Sequence, residues 1–156
     1  MRASYAMTRA KRFWVIAASA GAIIALTLGA SAVRPRCTRV SGDERIKIPL
    51  AQLARGAIAF FCYHDSAGDR LRFVLARDED GKVHAVFDAC RQCYSYHKGY
   101  MSSGGELVCR FCGNRYNLKA VEKGQASCIP VSLPNRQHDG LIEVRVADLK
   151  QGRSLF

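Results

Sequence analysis

The sequence predicts a mainly β protein, a small antiparallel β domain tethered by one N-terminal transmembrane helix. Three observations carry that reading. Phe13–Val33 is an uncharged run of 21 residues, and a helix needs about 20 apolar residues to cross a bilayer core. Beyond it, short apolar and aromatic runs alternate with turn signals at close, regular spacing, the pattern of a small antiparallel domain. Finally, two Cys-x-x-Cys pairs, Cys90/Cys93 and Cys109/Cys112, stand 15 residues apart, and Cys128 follows after 15 more.

The 156-residue chain has room for one ordinary domain. Residues 1–12 form a basic N-terminus with Arg2, Arg9, Lys11 and Arg12, while Arg34 and Arg36 follow the apolar run. Positive charge stays cytoplasmic, so four against two puts the N-terminus inside and the domain outside. A cleaved signal peptide is the alternative, because Ala30-Ser31-Ala32 suits a cleavage site. The apolar run exceeds the roughly 7–15 residues of a signal h-region, which favours an anchor. Both readings export the domain, and the expected location is a bacterial inner membrane with residues 46–156 in the periplasm.

Charge narrows the partners. The chain holds 24 Lys+Arg and 13 Asp+Glu. The first 33 residues take four of the basic side chains and no acidic one, so the remainder is still +7. No dense basic run with interleaved aromatics occurs, and export removes nucleic acid as a partner. Attraction to anionic lipid or to an acidic partner protein stays open.

Arg34–Arg45 reads as a linker with Pro35 and Ser41-Gly42. IPLAQLARG (48–56) has short helical or turn character, with Pro49 at its start. Strands follow at 57–63 (AIAFFCY) and 71–76 (LRFVLA), with SAGD as the turn between them. The second alternates Leu, Phe and Leu against Arg, Val and Ala. DEDG (78–81) is a hairpin turn into a strand at 83–87 (VHAVF). Short strands are expected at 106–109, 115–118 and 141–146, and residues 147–149 begin a polar tail.

A Cys-x-x-Cys turn brings two sulfurs within reach of one metal, and its free backbone N–H groups favour the thiolate form that ligates. Two such turns on neighbouring hairpins supply four thiolates. The spacing fits zinc-ribbon-like or rubredoxin-like ligand loops and serves a [2Fe–2S] or [4Fe–4S] cluster equally. Disulfides are the competing reading in an oxidising compartment, although seven cysteines leave one over. Cys128 is a candidate fifth or replacement ligand. Cys62, inside an apolar strand, reads as a small buried hydrophobe, with Cys37 as a pairing candidate. His97 is a weak ligand candidate, and His64, His84 and His138 are weaker. No nucleophilic triad, phosphate loop or small-molecule site stands out, so an electron carrier or accessory subunit is expected rather than a catalyst.

Phe87-Asp88-Ala89-Cys90, Cys93, Lys98-Gly99-Tyr100, Cys109, Cys112-Gly113 and Cys128-Ile129-Pro130 occur in that order across residues 72–134. This combination resembles the FtrD-like family of membrane iron–sulfur proteins, whose members accompany bacterial ferrous-iron permeases. The resemblance implies an iron–sulfur cluster held by Cys90, Cys93, Cys109 and Cys112, with Cys128 as a further candidate. It also implies membrane electron transfer or iron handling beside other membrane or periplasmic subunits. The chain departs from the family pattern at the last cysteine, where Ala126-Ser127-Cys128-Ile129-Pro130 replaces Gly-Gly-Cys-Asn-Pro. A looser resemblance is to Rieske-type domains, which set two ligand loops at the tip of a small β domain. Those pair one Cys with one His in each loop, whereas both second positions here, Cys93 and Cys112, are cysteines. A zinc site that stabilises an assembly subunit is the alternative function.

Overall fold

The computed structural model describes residues 37–156, and the predicted span Phe13–Val33 lies outside them. Among the described residues no helix is long and apolar enough to cross a membrane. Among these residues, eleven strands and one short α-helix follow in chain order: β1 (Thr38–Val40), β2 (Arg45–Pro49), β3 (Ile58–His64), β4 (Arg70–Arg77), β5 (Val83–Cys90), β6 (Tyr100–Ser103), β7 (Glu106–Cys109), β8 (Arg115–Tyr116), β9 (Pro130–Ser132), β10 (Arg136–His138), β11 (Leu141–Arg145) and α1 (Val146–Gln151).

They form three sheets, ordered β1-β3-β4-β5-β9, β10-β11-β2 and β6-β7-β8. Every pairing is antiparallel except β1 with β3. Thus the mainly antiparallel β domain is observed, with one parallel edge. That edge lies in the stretch read as a linker: Thr38–Val40 pairs with Phe61–Tyr63, and Cys37 is disulfide-bonded to Cys62.

The alternation of β4 and β5 decides the layering. Leu71, Phe73 and Leu75, with Val83, Ala85, Phe87 and Ala89, face a core shared with β2, β11 and α1. Phe61 and Phe73 stack there at 5.3 Å between ring centroids. The opposite face carries Val74, Ala76, Val86 and Cys90, which join Tyr100, Leu107, Cys109, Tyr116, Val121 and Cys128. Every residue of β5 is therefore buried. The large sheet separates an aliphatic core from a second one in which cysteines replace aliphatic side chains.

Several elements differ from the sequence expectation. Strand β2 alternates exposed and buried residues and pairs in register with β11, so 48–49 are strand and only Leu50–Gln52 turn as a 3-10 helix. The tail expected from 147 is α1, with Leu149 fully buried. The strand starting at Val83 runs on to Cys90, so the first cysteine of the pair ends a strand rather than floating in a loop.

Candidate metal centre

Cys90 closes β5, and the chain turns at once: the Cys93 N–H donates to the Cys90 carbonyl at 3.1 Å. A single 3-10 turn, Tyr94–Tyr96, follows and ends at His97, whose φ of 51° is left-handed. The second pair sits on the hairpin of β7 and β8. Cys109 ends β7, its N–H donates to the Asn114 carbonyl at 2.9 Å, and the Gly113 N–H donates to the Cys109 carbonyl at 2.9 Å. This tight turn aims the N–H groups of Phe111 and Cys112 at the Cys109 sulfur and that of Asn114 at the Cys112 sulfur.

The third arm comes from the segment before β9. Strand β5 pairs with β9 irregularly, Val86 with Ser132 and Cys90 with Pro130, which pulls the chain before Pro130 across the end of β5. The Arg91 N–H donates to the Ile129 carbonyl at 3.0 Å. Gln125 and Cys128 exchange backbone hydrogen bonds at 2.9 and 3.0 Å, and Tyr116 Oη donates to the Cys128 carbonyl at 3.3 Å. Ala126, at φ 53°, occupies the left-handed region that glycine favours. An alanine in that conformation is under mild strain. Gly124 is less replaceable, because a Cβ there would stand 2.8 Å from the Cys128 carbonyl oxygen and the Ile129 Cα.

Five thiols converge as a result. Cys90, Cys93 and Cys128 form one group, and Cys93, Cys109 and Cys112 another, with the sulfurs of each group within 4.8 Å of one another. Cys93 is common to both. The Cys93 and Cys128 sulfurs lie 3.5 Å apart, and those of Cys112 and Cys128 only 3.2 Å. Four of the five are buried, and Cys112 is exposed. All five sequence candidates are brought together. His97 is exposed and joins neither group. Cys37 and Cys62 are paired with each other elsewhere.

The protonation pattern follows from crowding. Burial pushes the Cys93 thiol up, reinforced by its neighbours Cys128 and Cys90. Burial likewise raises Cys109 and lifts Cys128 to about 11. At Cys112 burial also acts upward, but the Asn114 N–H and the thiols of Cys128, Cys109 and Cys93 outweigh it and hold the group below its ordinary value. Like charges this close oppose one another, so full deprotonation requires a cation among them.

Two residues shape the walls. Asp88 Oδ1 accepts from the Tyr100 N–H at 2.6 Å, while its Oδ2 lies 3.6 Å from Arg72 Nε. Burial pushes the Asp88 carboxyl up to about 6, against the pull of the Tyr100 N–H and nearby arginines. Gly99 packs on the same carboxylate so closely that a Cβ would stand 2.5 Å from Oδ1. The Phe-Asp-Ala-Cys and Lys-Gly-Tyr motifs are therefore two halves of one latch. The sequence alone gives Asp88 no role, and only the resemblance to the family singles out both motifs.

Tyr100 projects into the thiol core edge-on to Tyr116, with ring centroids 5.8 Å apart. Its hydroxyl is buried and, among the described residues, has no hydrogen-bond partner. Burial and then the charge of Cys90 push this phenol up. A soft donor set of five thiols beside an unpartnered hydroxyl fits a thiophilic metal centre, since buried polar groups otherwise find partners.

Comparison with known proteins adds three findings. No curated protein matches the chain. Among solved structures, the chain is similar to a Mycobacterium tuberculosis protein described as an NADH-dependent nitrite reductase small subunit. Identity there is 18% and the TM-score 0.39, over 66% of this chain and 96% of that one. A family model described as membrane iron–sulfur containing protein, FtrD-like, matches residues 53–156, which include all five clustered cysteines. The chain therefore belongs to the FtrD-like family of membrane iron–sulfur containing proteins.

Proposed function

We propose that this protein is a membrane-anchored iron–sulfur protein that carries electrons within or beside a membrane complex. The observation that supports it best is the segregation of its cysteines. Five free thiols converge on one face of the large sheet, while the two that lie away from them form a disulfide. Cys90, Cys93, Cys109 and Cys112 are the proposed ligands, with Cys128 as a fifth or replacement ligand. A bound cluster supplies one-electron redox chemistry. The chain supplies thiolates, N–H groups directed at Cys109 and Cys112, and an apolar wall that excludes water from four of the five sulfurs.

The Cys37–Cys62 disulfide supports an exported domain, because such bonds persist in oxidising compartments. With Phe13–Val33 as the anchor and a cytoplasmic N-terminus, the domain lies on the periplasmic side of a bacterial inner membrane. The resemblance described above implies a neighbouring ferrous-iron permease, and on that ground the proposal extends to a role in iron uptake.

The test is spectroscopic. Full-length protein purified anaerobically in detergent is expected to show broad visible absorption that dithionite bleaches, with iron and acid-labile sulfide in equal amounts. A colourless protein with stoichiometric zinc would overturn this in favour of a structural zinc site in an assembly subunit.

A further inference from the structure

Among the described residues, the exposed large hydrophobic side chains are Tyr94 (41% exposed), Tyr96 (54%), Met101 (40%) and Phe111 (46%). All four fall between Cys93 and Cys112. The sheets elsewhere present no comparable side chain, so this concentration is not a general property of the surface. Tyr96 and Phe111 stack face to face, with centroids 3.6 Å apart, and so join the two cysteine loops outside the thiols. Phe111 lies directly before Cys112, the exposed thiol. Tyr94 lines the same crevice as Cys90, Cys93 and Phe111.

The exposed charge on these two loops is mainly positive, and Asp88, which lines the same crevice, is buried against the Tyr100 N–H and Arg72. Between Arg91 and Cys112 the acidic side chain is Glu106, which Arg115 engages at 2.6 Å. Arg91, Lys98 and Arg110 are exposed on the same loops. Arg110 Nε donates to the Tyr100 carbonyl at 2.6 Å, whereas no carboxylate engages Arg91 or Lys98 among the described residues.

We propose that the Tyr96–Phe111 platform, with Arg91 and Lys98 at its rim, is the docking surface for a redox protein bearing an apolar contact ringed by acidic side chains. This rests on the electron-transfer reading above. Aromatics, Met and Arg are the residue types enriched at protein interfaces. A small aromatic centre with a charged rim suits a transient complex whose rim accelerates encounter. Phe111 directly precedes Cys112, the exposed thiol of the five, so a protein seated on the platform lies beside the exposed edge of the site. An anionic bilayer would also attract the rim, but it would cover Cys112 and bring no electron acceptor to it.

The test uses full-length protein in phosphatidylcholine nanodiscs, reduced under anaerobic conditions, with two oxidised probes. One is a blue-copper protein carrying an acidic patch, and the other is a basic cytochrome c. Stopped-flow rates are expected to favour the copper protein and to fall steeply with salt. The double variant R91E/K98E is expected to slow that reaction by about tenfold at low ionic strength and to flatten its salt dependence. Tyr96→Ser should lower the rate at every salt concentration without changing the slope. Variants that react at the wild-type rate, or a preference for the basic cytochrome, would overturn the proposal. So would phosphatidylserine in the nanodiscs slowing the wild type but not R91E/K98E, because the patch would then lie on lipid. Absence of the visible band in the wild type sinks the cluster reading itself; a normal band with salt-insensitive transfer sinks only the docking surface.

Discussion

The sulfurs of Cys112 and Cys128 lie 3.2 Å apart, although 15 residues separate them in the chain. Cys112 is the exposed member and is biased toward thiolate, the form that attacks another sulfur. Treatment with a chelator followed by mild oxidation should therefore yield a Cys112–Cys128 disulfide first. Peptide mapping checks this. A dominant Cys90–Cys93 or Cys109–Cys112 bond would show that Cys128 does not hold this position.

Gly124 tests the placement of Cys128 without touching a thiol. A Cβ at this residue meets the Cys128 carbonyl and the Ile129 backbone, which have little freedom to retreat. Gly124→Ala should displace Cys128, altering the electron paramagnetic resonance of the reduced protein while iron content stays above half. Cys109→Ser is expected to abolish the signal. An unchanged spectrum in Gly124→Ala would place Cys128 outside the ligand set.

Asp88→Ala should cost about 1–3 kcal/mol, because it strands the buried Tyr100 N–H. Asp88→Asn keeps an acceptor oxygen and should recover most of that loss. Chemical denaturation compares the three proteins; equal losses in both variants would argue that charge, not the hydrogen bond, holds the latch.

Cys37→Ser removes a crosslink between residues 25 apart in sequence, worth about 3 kcal/mol on the chain-entropy account. The visible spectrum should be unaffected, since the disulfide lies apart from the clustered thiols. Loss of colour at full stability would contradict this division of labour.

Asp65 sets a pH dependence far from the thiols. Its burial acts to raise the carboxyl pKa, but Arg153 and the N–H groups of Asp69 and Ala67 outweigh it and hold the group below the usual range. A depressed folded pKa stabilises the fold above the unfolded value near 3.8, and that contribution is lost as pH falls through the folded one. Asp65→Asn should flatten the acid limb of a thermal-unfolding profile below about pH 4. An acid limb as steep as that of the wild type would exclude this ion pair as its cause.

Much of the site was legible in sequence because ligand chemistry is local. A Cys-x-x-Cys turn brings its two sulfurs together whatever surrounds it; the strand at 71–76 announced itself by period-two alternation, and those at 83–87, 106–109 and 141–146 as short apolar runs between turn signals. Strands β1, β9 and β10 did not, since three-residue edge strands carry too few alternations to register. Strand β2 was hidden by Pro49 and the apolar run after it.

The sequence by itself therefore determined the two Cys-x-x-Cys loops, the β character and a 21-residue apolar run long enough to span a bilayer. Tertiary structure decided what those loops meet. It set Cys128 against Cys112 through the irregular pairing of β5 with β9, closed Cys37 onto Cys62, and folded Asp88 over Gly99 and Tyr100. It also gathered Tyr96 and Phe111 into one exposed platform. Each of these is a contact between segments distant in the chain, and no spacing along the chain encodes it.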